Sequence, residues 1–334
     1  MDFFTKIDIP AIDWQIDYNS HVAFFGSCFA DNISAQFAAR KFKVLVNPFG
    51  TVYNPLSIAM QIKAIANKQV FGGPEVFQDM RPDRAGNSAP WHCWDAHGSL
   101  SATTREECVA KLNEASAHAL EFLQKTDVAF ITLGTSFVYF LKDIGAAVSN
   151  CHQQNPNLFI RKMISVDHVV AALKSIVQDL QKIKRDMRIV FTVSPLRHLS
   201  DGAHANTLSK ATLQLAINKI IEKQDFTTHT TEAAVQYFPS YEIVMDELRD
   251  YRFYDSDMIH LSKIAENYIF ERMTEAYCDS KTRDNIKQVE KFLKSANHRI
   301  QDANSPATAA FLQKLHAEAE RLESQIAGLE LRDI

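Results

Sequence analysis

The sequence predicts an α/β protein: a parallel sheet covered by helices on both faces, three layers in all, followed by a C-terminal helical hairpin. Two observations predict it. Short apolar runs alternate with segments of helical periodicity along most of the chain, which is the pattern of parallel strands joined by crossover helices. From about residue 279 that alternation stops, charge rises and aromatic residues thin out.

The elements follow in order. His21-Val22-Ala23-Phe24-Phe25 reads as a short buried strand, with a helix from about Phe29 to Arg40 behind it. Phe42-Lys43-Val44-Leu45-Val46 is the second strand, closed by the turn-forming Asn47-Pro48-Phe49-Gly50. A helix is expected from Leu56 to Ala66. Residues 68–101 mix Gly, Pro, Asp and aromatic residues without periodicity, with Phe71-Gly72-Gly73-Pro74 and Arg81-Pro82-Asp83 reading as loop. An irregular stretch of that length is uncommon unless it serves a site, so it is expected to fold over the ligand-binding edge of the sheet. A helix over Thr104–Gln124 precedes the strongest strand, Asp127–Leu133, which ends at Gly134. Val166, Val169, Val170, Leu173, Ile176 and Leu180 lie on one face of a helix over Ser165–Lys184. A strand at Arg188–Val193, a helix at Asn206–Ile221, a short strand at Val235–Phe238 and helices at Tyr241–Leu248 and Ser262–Tyr277 complete this part. The division is therefore 1–278 for the α/β domain and 279–334 for the hairpin. In the latter, Ile286, Val289, Phe292 and Leu293 share one helical face and Phe311, Leu315, Ala319, Leu322 and Ile326 another, with Asn304-Ser305-Pro306 between them. The hairpin is expected to pack on itself, on a partner or on a second copy of the chain.

Composition narrows the function. The chain has 334 residues, a net charge of −4 and 46% hydrophobic residues. That balance gives no electrostatic reason to bind nucleic acid or an anionic membrane. No apolar stretch is long enough to span a bilayer, and Met1-Asp2-Phe3-Phe4-Thr5-Lys6 does not read as a signal peptide. The five cysteines, Cys28, Cys93, Cys108, Cys151 and Cys278, are scattered and contain no CxxC pair. A reduced cytoplasmic protein without a disulfide framework or structural zinc is expected. There is no GxxxxGK[ST], GxGxxG or HExxH motif, so neither a nucleotide cofactor nor a metal is expected.

The candidate chemistry lies in two short segments. Ser27 follows Gly26 where the first strand turns into a helix, at the carboxyl edge where open α/β sheets hold ligands. It reads either as a nucleophile, with the N–H groups of the helix start holding an oxyanion, or as an N-cap. A nucleophilic serine needs a base and an orienting carboxylate. Asp257-Met258-Ile259-His260 supplies both, because three-residue spacing lets the carboxylate fold back onto Nδ1 and leaves Nε2 for the serine. The other reading is a surface Asp beside a partly buried His.

An early strand-end Ser with a late Asp-x-x-His in an alternating chain is the layout of SGNH or GDSL hydrolases. Gly26-Ser27-Cys28-Phe29-Ala30 resembles the pentapeptide that names the GSCFA family. Other segments are similar to it in the same order. Among them are Asn47-Pro48-Phe49-Gly50-Thr51-Val52-Tyr53-Asn54-Pro55, Trp94-Asp95-Ala96-His97, Thr132-Leu133-Gly134-Thr135 and Asn150-Cys151-His152. Val193-Ser194-Pro195-Leu196-Arg197-His198, Tyr237-Phe238-Pro239-Ser240-Tyr241-Glu242 and Asp246–Tyr254 continue the series, from about residue 20 to about residue 280. The resemblance implies an SGNH-hydrolase-like, flavodoxin-like fold and acyl-ester chemistry on a carbohydrate or small ester, without a cofactor. Ser27, Asp257 and His260 would form the triad, and Gly50, after the second strand, would donate an oxyanion N–H unless it only serves the turn. The Asn that this superfamily carries after the third strand is missing. Gly134-Thr135-Ser136 stands there, so either Asn150, Thr135 or Ser136 would take that role or the hole would be weaker. His97, Trp94, Arg197 and His198 would bind substrate or support the site, while Trp91 and Phe49 would stack on a sugar or fill core. Hydrolysis, O-acyl transfer and ligand binding without turnover all fit this layout.

Overall fold

The structure is a computed structural model that describes residues 5–10, 12–73, 75–79, 89–222, 235–297 and 305–331. Of the stretch read as loop from the sequence, Pro74 and residues 80–88, including Arg81-Pro82-Asp83, lie outside the described residues, as does Asn304. The elements run β1 (His21–Gly26), α1 (Cys28–Ala39), β2 (Lys43–Val46), α2 (Pro55–Ala66), β3 (Val76–Gln78), β4 (Trp91–Cys93), α3 (Arg105–Leu123) and β5 (Val128–Leu133). They continue with β6 (Phe137–Leu141), β7 (Ala147–Val148), β8 (Phe159–Met163), α4 (Val166–Ile183), β9 (Arg188–Val193), α5 (Ala203–Glu222) and β10 (Val235–Tyr237). A one-turn α6 (Ser240–Glu242) runs into a π turn (Ile243–Leu248), before α7 (Lys263–Tyr277), α8 (Ser280–Ala296) and α9 (Pro306–Gln325).

Five strands form one parallel sheet in the order β10-β9-β5-β1-β2. This is the doubly wound flavodoxin-like order, whose ligand crevice lies at the carboxyl ends of the strands, beside β1. Successive side chains of a strand face opposite ways, and the core divides accordingly. Ala23, Phe25, Ala129, Ile131, Ile189 and Phe191 pack on one side under α2, α3, α4 and α5. Val22, Phe24, Val128, Phe130 and Val190 pack on the other under α1 and α7. Helix starts are set by capping side chains: Asn54, Thr104, Ser165 and Ser262 each accept a backbone N–H of the helix that follows.

Ile286, Val289 and Phe292 of α8, and Leu322 of α9 with Ile326, share the second cluster with Phe37 of α1 and Phe270 of α7. The C-terminal helices therefore cover the α1 face of the sheet instead of packing only on each other. Arg40 and Glu290 add an ion pair at 2.6 Å across this junction. Part of the 68–101 stretch forms a small antiparallel ribbon, β3 with β4. Beyond β5 the chain builds a separate antiparallel sheet, β7-β6-β8. Among the described residues no helix is long and apolar enough to cross a membrane.

Candidate active site

Ser27 sits in a turn that the neighbouring strand dictates. Gly26 has φ +127°, and a Cβ on it would stand 2.0 Å from the Thr132 carbonyl oxygen of β5, so only glycine fits between the two strands. The Gly26 N–H donates to Asn47 Oδ1 at 2.8 Å. Asn47 Nδ2 and Thr51 Oγ1 in turn donate to the two oxygens of Asp31, at 2.6 and 2.7 Å. Asp31 lies in the first turn of α1, where a carboxylate is favoured by the positive end of the helix. The carboxylate thereby ties the helix that begins after Ser27 to the loop that follows β2.

Ser27 is 1% exposed, and its Oγ has no hydrogen-bond partner. The hydroxyl does not cap α1, which removes the N-cap reading. His260 is held by a tight turn. The Ile259 and His260 N–H groups both donate to Asp257 Oδ1 at 2.9 Å, and His260 Nδ1 lies 2.5 Å from Asp257 Oδ2. Met258 takes φ +59° to close that turn. The contact with His260, aided by the two backbone N–H groups, holds the Asp257 carboxyl down at about 2. Both side chains are about half exposed.

Ser27 and His260 line the same cleft, of about 840 Å³, at the carboxyl edge of the sheet. No hydrogen bond joins Ser27 Oγ to His260. Thr135, Asn150, His97, Arg197 and His198 line this cleft too, whereas Gly50, Ser136 and Trp94 do not. Asp257 does not line the cleft and meets it through its contact with His260.

The expected roles of Gly50, the Ser27 N–H, Thr135, Ser136 and Trp94 change for physical reasons. The Gly50 N–H donates to Asn47 O at 2.7 Å, and a Cβ at Gly50, where φ is +83°, would meet His97 Cβ at 2.2 Å. Gly50 thus serves a tight turn and a close approach to His97, not an oxyanion. The Ser27 N–H is also taken, by Thr132 O at 3.3 Å. Ser136 is fully buried, and its hydroxyl and that of Thr135 both face Ser209 of α5 at 3.1 Å. Two groups near Ser27 are candidates for the oxyanion. The Cys28 N–H opens α1, and Asn150 accepts from the His152 N–H through Oδ1, with no partner for its Nδ2 among the described residues. Trp94 stacks on Phe77 with 3.7 Å between centroids, and its carbonyl accepts the Ser149 and Asn150 N–H groups at 2.8 and 3.2 Å. It supports Asn150 from outside. Phe49 is core, 2% exposed, and Trp91 packs against the same cluster.

Three residues at or under the cleft were missed by the sequence reading. Arg161 of β8 forms a bidentate pair with Asp201 in the cleft wall. Lys210 of α5 is 1% exposed, and its Nζ donates at 2.6 Å to both Gly134 O and Ser194 O, just past the ends of β5 and β9. Burial pulls this ammonium down to about 7, with Arg197 adding to the fall. Its spacing from Asn206, Leu213 and Ile217 puts Lys210 on the inward face of α5, a signal that the sequence does carry. Burial, helped by Lys210, also holds His198 down at about 4, so this imidazole is neutral near pH 7.

Among the described residues no group of three His, Cys, Asp or Glu is placed to hold a metal ion. All five cysteines are free thiols, and burial pushes the Cys28 thiol, next to Ser27, above its usual value.

Solved structures similar to this chain include a carbohydrate esterase family 3 protein from Talaromyces cellulolyticus. It shows 10% identity and a TM-score of 0.32, covering 81% of this chain and 99% of that one. An acetyl xylan esterase from the rumen bacterium Butyrivibrio proteoclasticus shows 15% identity and a TM-score of 0.33, covering 80% of this chain and 64% of that one. A comparison with curated proteins finds no match. Residues 21–273, well over half of the chain, match the GSCFA family, and the protein belongs to that family.

Proposed function

We propose that this protein is a serine-dependent acyl-ester hydrolase acting on an acylated carbohydrate or a related small ester. One observation carries the reading: a buried serine hydroxyl without a hydrogen-bond partner shares a cleft with a histidine whose other nitrogen is held by a carboxylate. His260 takes the proton as Ser27 Oγ attacks the ester carbonyl, and Asp257 keeps the imidazole oriented and stabilises its charged form. The Cys28 N–H and Asn150 Nδ2 receive the oxyanion. The alcohol leaves with the proton from His260, and water, activated by the same histidine, releases the acyl group. If an acceptor alcohol replaces water, the steps give O-acyl transfer. The size of the cleft favours keeping that second reading, since about 840 Å³ lies near the upper end of ordinary ligand pockets. Binding without turnover is the rival, and the missing Ser27–His260 hydrogen bond is the observation in its favour.

A fluorophosphonate probe separates these readings. The expected result is a covalent adduct on Ser27, mapped by peptide mass spectrometry and lost in Ser27→Ala. An unlabelled wild-type protein that is also inert toward a panel of acetylated sugars would leave the binding reading standing.

A further inference from the structure

Arg197 follows β9 and is partly buried in the wall that the Ser27 cleft shares with a neighbouring cavity of about 400 Å³. Among the described residues it is the charged residue of the cleft wall without a counter-ion. Its guanidinium has one hydrogen-bond partner among the described residues, the Met245 sulfur, 3.4 Å from Nη2. A thioether is a weak acceptor, and a guanidinium carries five N–H donors in a planar fork that matches a carboxylate. Holding an unpaired guanidinium partly out of water is unfavourable, and a bound anion relieves that cost.

Other charged groups nearby have partners of their own. Arg161 is neutralised by Asp201. The carboxylate of Asp31 is used by Asn47 and Thr51, and that of Asp257 by His260. Lys210, beneath the cleft, donates to two carbonyls. In the adjoining cavity Arg249 and Asp250 balance in sign. Among the described residues that line the cleft, Arg161 and Asp201 cancel and Arg197 leaves one positive charge, on a chain whose net charge is −4.

We propose that Arg197 binds a carboxylate of the substrate, so that the preferred esters are acidic: either the alcohol is a uronic acid or the acyl group is a dicarboxylic half-ester. This rests on the ester reading above for the word substrate, and on the unpaired guanidinium alone for the anion site. A bidentate carboxylate on Arg197 would anchor one end of the ester while the carbonyl faces Ser27, and charge-assisted pairs of this kind are the strong ones.

The test is an NMR titration of the Ser27→Ala protein at neutral pH with D-glucuronate, succinate and D-glucose. At least one carboxylate should bind about 10-fold or more tightly than glucose, as a charged hydrogen bond implies. Glucuronate alone would put the carboxylate on the alcohol side, and succinate alone on the acyl side. Arg197→Gln should erase the margin and Arg197→Lys should keep part of it. Raising NaCl from about 0.05 to 0.5 M should shrink it without any substitution, which keeps the test valid if Arg197→Gln does not fold. Equal binding of neutral and anionic ligands, no binding by any of the three, or a margin that survives Arg197→Gln in folded protein overturns the proposal. Probe labelling of Ser27 needs no carboxylate. A labelled Ser27 without anion preference therefore overturns the anion site alone. An unlabelled Ser27 beside Arg197-dependent carboxylate binding overturns the hydrolase alone.

Discussion

Replacing Ser27 by alanine should stabilise the protein while abolishing its activity. The hydroxyl is buried, has no hydrogen-bond partner and makes no cap to α1. A buried hydroxyl left unsatisfied costs about 1–3 kcal/mol relative to water, and alanine removes that cost together with one small atom. The net gain is about 1 kcal/mol. For a chain of this size it corresponds to a rise of about 1.4 °C in Tm, following the scaling of unfolding entropy with length. If the hydroxyl were an N-cap, the same substitution would instead destabilise by about 0.5–2 kcal/mol. Turnover should fall on the order of a million-fold, as loss of a covalent nucleophile does in serine hydrolases. Scanning calorimetry of wild type and variant, with hydrolysis of 4-nitrophenyl acetate and acetylated sugars, reads both quantities. A lower Tm would show that the hydroxyl is bonded in the native protein, and unchanged turnover would remove it as nucleophile.

Gly26→Ala should cost about 3 kcal/mol or more through strain at a non-glycine backbone and a clash with a neighbouring strand, because its Cβ would meet Thr132 O at 2.0 Å. Chemical denaturation checks this, and a loss under about 1 kcal/mol would mean that the turn can relax. Lys210 makes stability depend on pH. Its ammonium titrates near 7 when folded and near 10.5 when exposed. Between those values the unfolded chain holds more protons, so stability rises with pH, and it falls again as pH drops through 7. From about pH 6 to pH 9 this group adds about 2–3 kcal/mol, at 1.36 kcal/mol per unit above its folded value. Urea melts of wild type and Lys210→Met at both pH values should differ by that amount in their pH response. An equal response in both proteins excludes Lys210 as the titrating group.

Much of this fold is legible in the sequence because its strands and helices carry the periods that burial imposes. Arg188–Val193 and the helices around α1, α2 and α4 fall within a residue or two of the pattern. The antiparallel β6–β8 sheet was not read. Phe137-Val138-Tyr139-Phe140-Leu141 has no clean polar alternation, and its partners are set by tertiary pairing. At the site, the Asp-x-x-His spacing anticipates the Asp257–His260 contact, since that geometry is local. Gly50 misled because a positive-φ turn and an oxyanion donor look the same in a string of letters. Arg161 with Asp201, and the two carbonyls over Lys210, join segments far apart in the chain. Such pairs leave no local trace.

The position of β1 inside the sheet has a consequence for synthesis. Its pairing with β2 is nearly local, Val22 opposite Val44, whereas its other neighbour is β5, with Val22 opposite Val128. Thr132, which closes the turn at Ser27, emerges from the ribosome more than a hundred residues after it. His260 comes later still, after β10. Long-range pairings of this kind are slow to form and leave an open edge meanwhile. A ribosome-bound chain therefore exposes an apolar strand, Val22-Ala23-Phe24-Phe25, through much of translation. Chaperone demand should peak there, and Ser27 and His260 meet in one cleft only once β10 and the turn at Asp257 have been made.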